Sequence, residues 1–372
     1  MVPDRLKRIR ATPFHRLAWA ALALTLAVVL LGAYVRLSDA GLGCPDWPGC
    51  YGRLLDLPDD ARHIAEASAA YPHRPVEPAK AWKEMIHRYC AGLLGLLVLT
   101  LAALAWRNRR DSTQPLTLPL ALLGLILFQS LLGMWTVTWQ LKPVVVMGHL
   151  LGGLATLSLL AWLILRQGRY GQDVTIAPPR PSAGEGLGER VAEGEGTECL
   201  YQDEQLIEDR RLRQYALFGL TLLVMQIALG GWTSANYAAL ACPDFPTCQT
   251  RWLPPLEFRE AFTLWRGLGV SYEGGVLGND ARVTIHWMHR LGALAVLLYS
   301  GWLVGRLWTA NRPMRRMAGI IALLLAIQIG LGIANVLLRL PLPVAVAHNA
   351  GAALLLLALV MLNHLLRLEP AA

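Results

Sequence analysis

Charge is what this sequence has little of. Only 16% of its 372 residues are Asp, Glu, Lys or Arg, against roughly 25% in soluble domains. With 55% hydrophobic residues and a mean hydropathy of +0.40, a water-soluble fold could not hide the apolar surface, so much of it must face lipid. A basic face with interleaved aromatics is also missing. The net charge of +8 comes from short Lys and Arg clusters between apolar runs, which is a topology signal and excludes nucleic acid as a partner. No cleavable leader is evident. The first apolar run (17–37) follows Arg5, Lys7, Arg8, Arg10 and Arg16, is long enough to span, and has no small-residue cleavage site before Arg36, so it reads as a first membrane helix.

A bilayer core of about 30 Å needs roughly 20 apolar residues in a helix. Eight runs qualify: 17–37, 84–106, 116–138, 143–166, 213–233, 283–308, 314–338 and 342–366. The fold class is therefore all-α integral membrane, with eight transmembrane helices as two pseudo-symmetric four-helix bundles. Arg107, Arg109 and Arg110, then Arg306, Arg312, Arg315 and Arg316, fall on the same side as the N-terminal cluster. Both termini are thus expected in the cytoplasm, with the protein in the cell membrane. Residues 1–167 form one half and 211–372 the other. Between them, 168–210 is rich in Gly, Glu, Pro and Ser and reads as a flexible cytoplasmic linker. In the long external segments, Leu57–Ala70 and Pro255–Gly267 read as short surface helices.

The halves repeat. CPDWPGC (Cys44–Cys50) answers CPDFPTC (Cys242–Cys248), EMIHR (Glu84–Arg88) answers HWMHR (His286–Arg290), and QSLLG (Gln129–Gly133) answers QIGLG (Gln328–Gly332). Twenty residues beyond each Gln stands a histidine, His149 and His348. The offset between halves stays within 198–202, so a duplication with parallel repeats follows.

His87 and His149, and likewise His289 and His348, should lie at one depth, roughly 6–12 Å inside the outer boundary. Two imidazoles at one depth on two helices of a bundle suit axial ligation of a heme iron. Gly148, Gly152, Gly153 and Gly351 thin the helices there, although small residues also serve plain packing. The bland reading of each histidine is an interhelical hydrogen bond, and an intramembrane titratable group in duplicate argues against it. Zinc is disfavoured because no closely spaced thiolate, carboxylate or second histidine completes a set.

Arg88 and Arg290 follow the first histidine of each pair, either snorkelling to the interface or meeting a heme propionate. Glu84 sits one turn before His87, where a carboxylate could take a proton from a substrate; the bland alternative is a solvated interfacial group. Its counterpart is His286, which makes His286 an alternative to His289 as the ligand in that helix. The cysteine pairs Cys44/Cys50 and Cys242/Cys248 fall outside, where disulfides persist. They read as staples or as redox-active pairs. Cys90 and Cys199 are not duplicated. His15, His63, His73 and His364 also stand outside the repeat and are expected at interfaces or in loops.

GAYVRLSDAGLGCPDWPGC, the E-x-x-H-R at Glu84–Arg88, the G-H-L at His149, and the H-R and A-H-N at His289 and His348 resemble the heme A synthase family over nearly the whole chain apart from the linker. The resemblance implies oxidation of heme O, its C8 methyl becoming a formyl group by successive hydroxylations to give heme A for terminal oxidases. It implies that His87 and His149 hold the substrate heme, with Glu84 as the catalytic carboxylate, and that His289 and His348 hold a heme b cofactor. It also matches the cysteine pairs to disulfides of relatives. Membrane lipid, an unidentified electron acceptor, a heme O-forming farnesyltransferase and a second copy of the chain are the partners to consider. The competing classes are a diheme bis-histidine cytochrome b-type electron-transfer protein, a thiol oxidoreductase and a secondary transporter.

Overall fold

The computed structural model describes residues 12–55, 57–111, 114–167 and 194–367, with the backbone alone over 194–209. Eight helices are long and apolar enough to cross a membrane. They are α1 (Pro13–Leu37), α3 (Pro78–Arg107), α4 (Thr117–Thr138), α5 (Pro143–Gln167), α6 (Gly194–Ala235), α8 (Asn279–Trp308), α9 (Arg312–Leu337) and α10 (Leu342–Leu365). The long segments that follow α1 and α6 hold α2 (Ala61–Ala70) and the single turn α7 (Phe258–Ala261). No strand occurs among the described residues; two isolated bridges, Cys50 to Arg53 and Cys248 to Arg251, are the only β pairings there. The protein is an all-α, multi-pass membrane protein.

Helix starts follow local chemistry. Proline stands in the first turn of α1, α3, α9 and α10, where its missing N–H costs nothing. Asn311 caps α9 by accepting the Met314 N–H at 3.1 Å. Two long helices begin earlier than hydropathy alone suggests, α3 at Pro78 rather than 84 and α8 at Asn279 rather than 283. Their first turns are polar because they stand outside the apolar layer. α6 also differs. Its backbone is helical from Gly194, inside the segment read as a linker, because 197–211 is built of good helix formers (Glu, Gln, Leu, Arg). Residues 168–193 of that segment lie outside the described residues.

Four helices end in the same way on the side of the disulfide loops. A non-glycine residue takes positive φ after each of α1, α4, α6 and α9: Asp39, Gln140, Tyr237 and Arg339. The residue beyond each donates back to the helix, with Ala40 to Val35, Leu141 to Thr136, Ala238 to Thr233 and Leu340 to Asn335 at 2.7–3.0 Å. This closes otherwise orphaned carbonyls and offsets the roughly 1–3 kcal/mol a non-glycine pays in this region. The same turn recurring at equivalent places is consistent with two related bundles, α1–α3–α4–α5 and α6–α8–α9–α10.

The bundles meet along α1, α5, α6 and α10. Leu154 and Leu157 of α5, Leu223 of α6, and Leu355 and Leu359 of α10 form one buried cluster, with Leu22 and Leu26 of α1 against it. At the disulfide-loop end Arg36 donates to the Ser234 carbonyl at 2.6 Å and lies 4.1 Å over the Tyr237 ring. Lys142, 1% exposed, donates to the Gly267 carbonyl at 2.6 Å and sits 3.0 Å from the Trp265 ring centre. The outer segment of the second half is thereby clamped onto the α4–α5 turn of the first. His364 is interior, 4% exposed and edge-on to Trp162, not at an interface as its place outside the repeat suggested. Leu96, Leu127, Leu298 and Leu323, each more than 60% exposed, face outward as a lipid-contacting surface should.

Candidate functional site

Each of the four repeated histidines is lodged against a glycine of a neighbouring helix. A Cβ on Gly32 of α1 would stand 3.0 Å from Cε1 of His87, and one on Gly133 of α4 would stand 3.4 Å from Cε1 of His149. In the second half Gly230 of α6 would meet His289 at 3.1 Å, and Gly332 of α9 would meet His348 at 3.2 Å. The backbone itself forms the wall, so any side chain there would push the ring. These glycines lie 198 and 199 residues apart between halves, a regularity legible in the repeat that the ligand search alone does not pick out.

His87 and His149 face each other with ring centroids 6.5 Å apart and planes at 79°. Two imidazoles sharing one metal ion need about this spacing: about 2 Å for each metal–nitrogen bond, plus about 1 Å from nitrogen to ring centre on each side. A backbone carbonyl lies against three of the rings, that of Val28 at His87, Gln129 at His149 and Gln328 at His348, and an imidazole oriented by one carbonyl has its other nitrogen free for a metal. The Nε2 of Gln129 is buried without a partner, which costs about 1–3 kcal/mol and marks a site built for something else. The residues therefore fit a heme in each half. Gln328 approaches His348, Nε2 to Nε2 at 3.3 Å, and Gln226 contacts His289, Nε2 to Nδ1 at 3.0 Å.

A second layer lies outward of the histidines. Cys44–Cys50 and Cys242–Cys248 are disulfides in the structure, each joining cysteines 6 apart in sequence, with Cα separations of 4.8 and 4.6 Å. Within each loop an aspartate gathers the chain. Asp46 accepts the Tyr51 and Gly52 N–H groups at 2.6 and 2.9 Å; Asp244 accepts those of Gln249 and Thr250 at the same distances. The Thr247 hydroxyl also donates to Asp244. This hydroxyl first, and then the backbone donors, hold the Asp244 carboxyl below the usual carboxylate range.

Glu84 connects loop and helix. It is 5% exposed, accepts the Cys44 N–H at 3.0 Å and pairs with Arg88 one turn on. His286 stands in the same relation to its own half: Nδ1 is 3.2 Å from the Cys242 nitrogen and Nε2 is 3.2 Å from Arg290 Nε. Both His286 nitrogens thus face the loop, while His289 occupies the place that His87 holds against its glycine. The sequence leaves Arg88 and Arg290 between snorkelling and a propionate contact; in the structure both also reach the disulfide loops. Arg88 Nη1 donates to the carbonyls of Asp46 (2.9 Å) and Gly49 (2.5 Å). Arg290 donates to those of Thr247 and Cys242, both at 2.8 Å. A carbonyl lip without its own N–H partners draws a five-donor guanidinium, which spacing along a helix does not reveal.

Comparison with known proteins agrees with this arrangement. The chain is 44% identical over 345 residues to the heme A synthase of Shewanella oneidensis, covering 93% of this chain and 94% of that one. It is 25% identical to the heme A synthase of Rhizorhabdus wittichii, over 92% and 90% of the two chains. It is also 25% identical to that of Alkalihalophilus pseudofirmus, over 77% and 73%. The profile of the cytochrome oxidase assembly protein family (COX15-CtaA) matches residues 15–360, which takes in both histidine pairs and both disulfide loops. The chain belongs to that family.

Proposed function

We propose that this protein is a heme A synthase, an oxidoreductase that converts the C8 methyl of heme O to a formyl group. The observation that carries this is the duplicated cradle of four imidazoles, each pressed on a glycine of a neighbouring helix. The change from methyl to formyl is a net four-electron oxidation at one carbon, reached by successive hydroxylations and loss of water. Counting the added oxygen at the level of water, the change releases four electrons and four protons, and the electrons leave to an external electron acceptor.

In this reading His87 and His149 hold heme O, and Glu84, on the same helix face as His87, takes protons released as the methyl is oxidised. Arg88 keeps the carboxylate in place and ties it to the Cys44–Cys50 loop, which covers the outer end of the site. His289 and His348 hold heme b, which supplies a one-electron redox centre when bound. No carboxylate occupies the Glu84 position in that half, so chemistry belongs to the N-terminal bundle. The membrane is the cell membrane, with both termini cytoplasmic and the disulfide loops outside, supported by the Arg clusters at the α3–α4 and α8–α9 turns.

The test is expression in a host that makes heme O but no heme A, followed by extraction and mass analysis of the pigment. Heme A is the expected product. Heme-loaded protein that yields only heme O and heme b would overturn the assignment in favour of a diheme electron carrier.

A further inference from the structure

Two covers of different origin close the first bundle at its disulfide-loop end. One is its own Cys44–Cys50 loop, held by a covalent bond and by Glu84 and Arg88. The other belongs to the second half. Residues 263–276, between α7 and α8, lie as a strap across the α4–α5 turn. The Tyr272 N–H donates to the Gln140 carbonyl at 3.1 Å, and Lys142 Nζ to the Gly267 carbonyl at 2.6 Å. The same ammonium lies 3.0 Å from the Trp265 ring centre, and Trp265 stands edge-on to Trp139. Glu273 pairs with Arg74 of the first half at 3.0 Å. The two covers approach each other at Leu141: a Cβ on Gly41, ahead of the Cys44–Cys50 loop, would stand 3.2 Å from its Cδ2. Only one half is covered in this way. Leu141 and Lys142 are 7% and 1% exposed, whereas Leu337 and Leu338 at the equivalent α9–α10 turn are each 59% exposed.

We infer that this strap is the gate of the first-half heme site, with Lys142 as its catch. The inference rests on the heme-binding reading above. Lys142 stands seven residues before His149, and Gln140 seven after Gly133. Seven residues are two helical turns on one face, so the strap lies about 10 Å from the His149 level along the bundle axis. A macrocycle standing along that axis has its edge beneath the strap. A substrate that enters as heme O and leaves as heme A needs a cover that opens. The Cys44–Cys50 loop is closed by a disulfide, whereas the strap is held by non-covalent contacts alone. It turns at Gly267, Gly269, Gly274 and Gly275, all at positive φ, where glycine pays no steric cost. Space around the first three is open, since a Cβ there would meet nothing within 4 Å. Such positions can absorb the backbone rotation that a moving lid requires. The catch that opposes it is a charged donor buried on an aromatic face.

The experiment uses the full-length protein in lipid nanodiscs, loaded with heme O and heme b. Heme-free myoglobin is the trap for released heme, and chromatography of the heme left on the protein is the readout. Arg74→Cys and Glu273→Cys, combined with Cys90→Ser and Cys199→Ser, are bridged by a short photocleavable bismaleimide. The bridge should prevent loss of heme O over the time in which half of it leaves the unbridged protein. Heme b should be unaffected, and light should restore the loss. Lys142→Met keeps the apolar stem and removes the ammonium, so it should release heme O about tenfold faster. An unchanged rate in that variant would remove Lys142 as the catch. Heme O leaving the bridged protein at the unbridged rate would overturn the gate, whatever Lys142→Met does. Failure of the underlying reading looks different: a protein carrying both His87→Ala and His149→Ala would then take up heme O as well as the wild type.

Discussion

Replacing Glu84 by histidine separates what this carboxylate holds from what it does. In the wild type it accepts the Cys44 N–H at 3.0 Å, pairs with Arg88, and is 5% exposed. Glu84→Ala leaves both partners short. A hydrogen bond to a charged group is worth about 1.5–3 kcal/mol, and breaking a buried pair costs about 3–5 kcal/mol. Arg88 keeps its bonds to the Asp46 and Gly49 carbonyls, so the lower end, about 3 kcal/mol, is expected. Glu84→His rebuilds the arrangement that His286 already shows, with ring nitrogens 3.2 Å from the loop nitrogen and from the arginine. A neutral ring accepts at only one of them, which restores about 1 kcal/mol.

The Glu84→His protein should therefore keep a closed loop and both hemes. It should lose the contribution of a positioned general base, about 10²–10⁴-fold in rate. Product is measured as heme A per bound heme over time, and loop integrity as alkylation of Cys44 and Cys50 under mild reductant. Wild-type heme A formation by Glu84→His would remove the carboxylate from the chemistry. Alkylation as fast as in Glu84→Ala would show that Glu84 and His286 are not equivalents.

His289→Ala and His348→Ala should each abolish the low-spin heme b spectrum, whereas His286→Ala should keep that spectrum and speed alkylation of the second loop; loss of heme in His286→Ala alone would make it the ligand. Gly32→Leu or Gly230→Leu puts a branched side chain where a Cβ alone already stands 3.0 or 3.1 Å from the imidazole, so each should empty its own half of heme as read by pyridine hemochrome, and full occupancy would refute the cradle. Asp244 has a folded-state pKa below its ordinary value, so it contributes stability above the ordinary range, about 3.9, that is lost as pH falls through the lower folded value. Reduction of Cys242–Cys248 should accordingly become faster below about pH 4, and Asp244→Asn should make it fast and flat with pH.

The sequence by itself determined the membrane class, the eight crossings and the duplicated halves, because hydropathy is a property of composition along the chain and a repeat is a property of order. It also singled out four histidines, since His87, His149, His289 and His348 recur at one spacing with the flanking Arg and Gln. What only the tertiary structure decided depends on which side chains of different helices meet. Arg88 and Arg290 turn to loop carbonyls that lie some 40 residues away in the chain. Helix starts moved outward because a polar turn can be helical outside the apolar layer. His286 and His289, three apart and so on one helix face, differ in what they meet: the disulfide loop lies on His286 and the glycine of α6 beside His289.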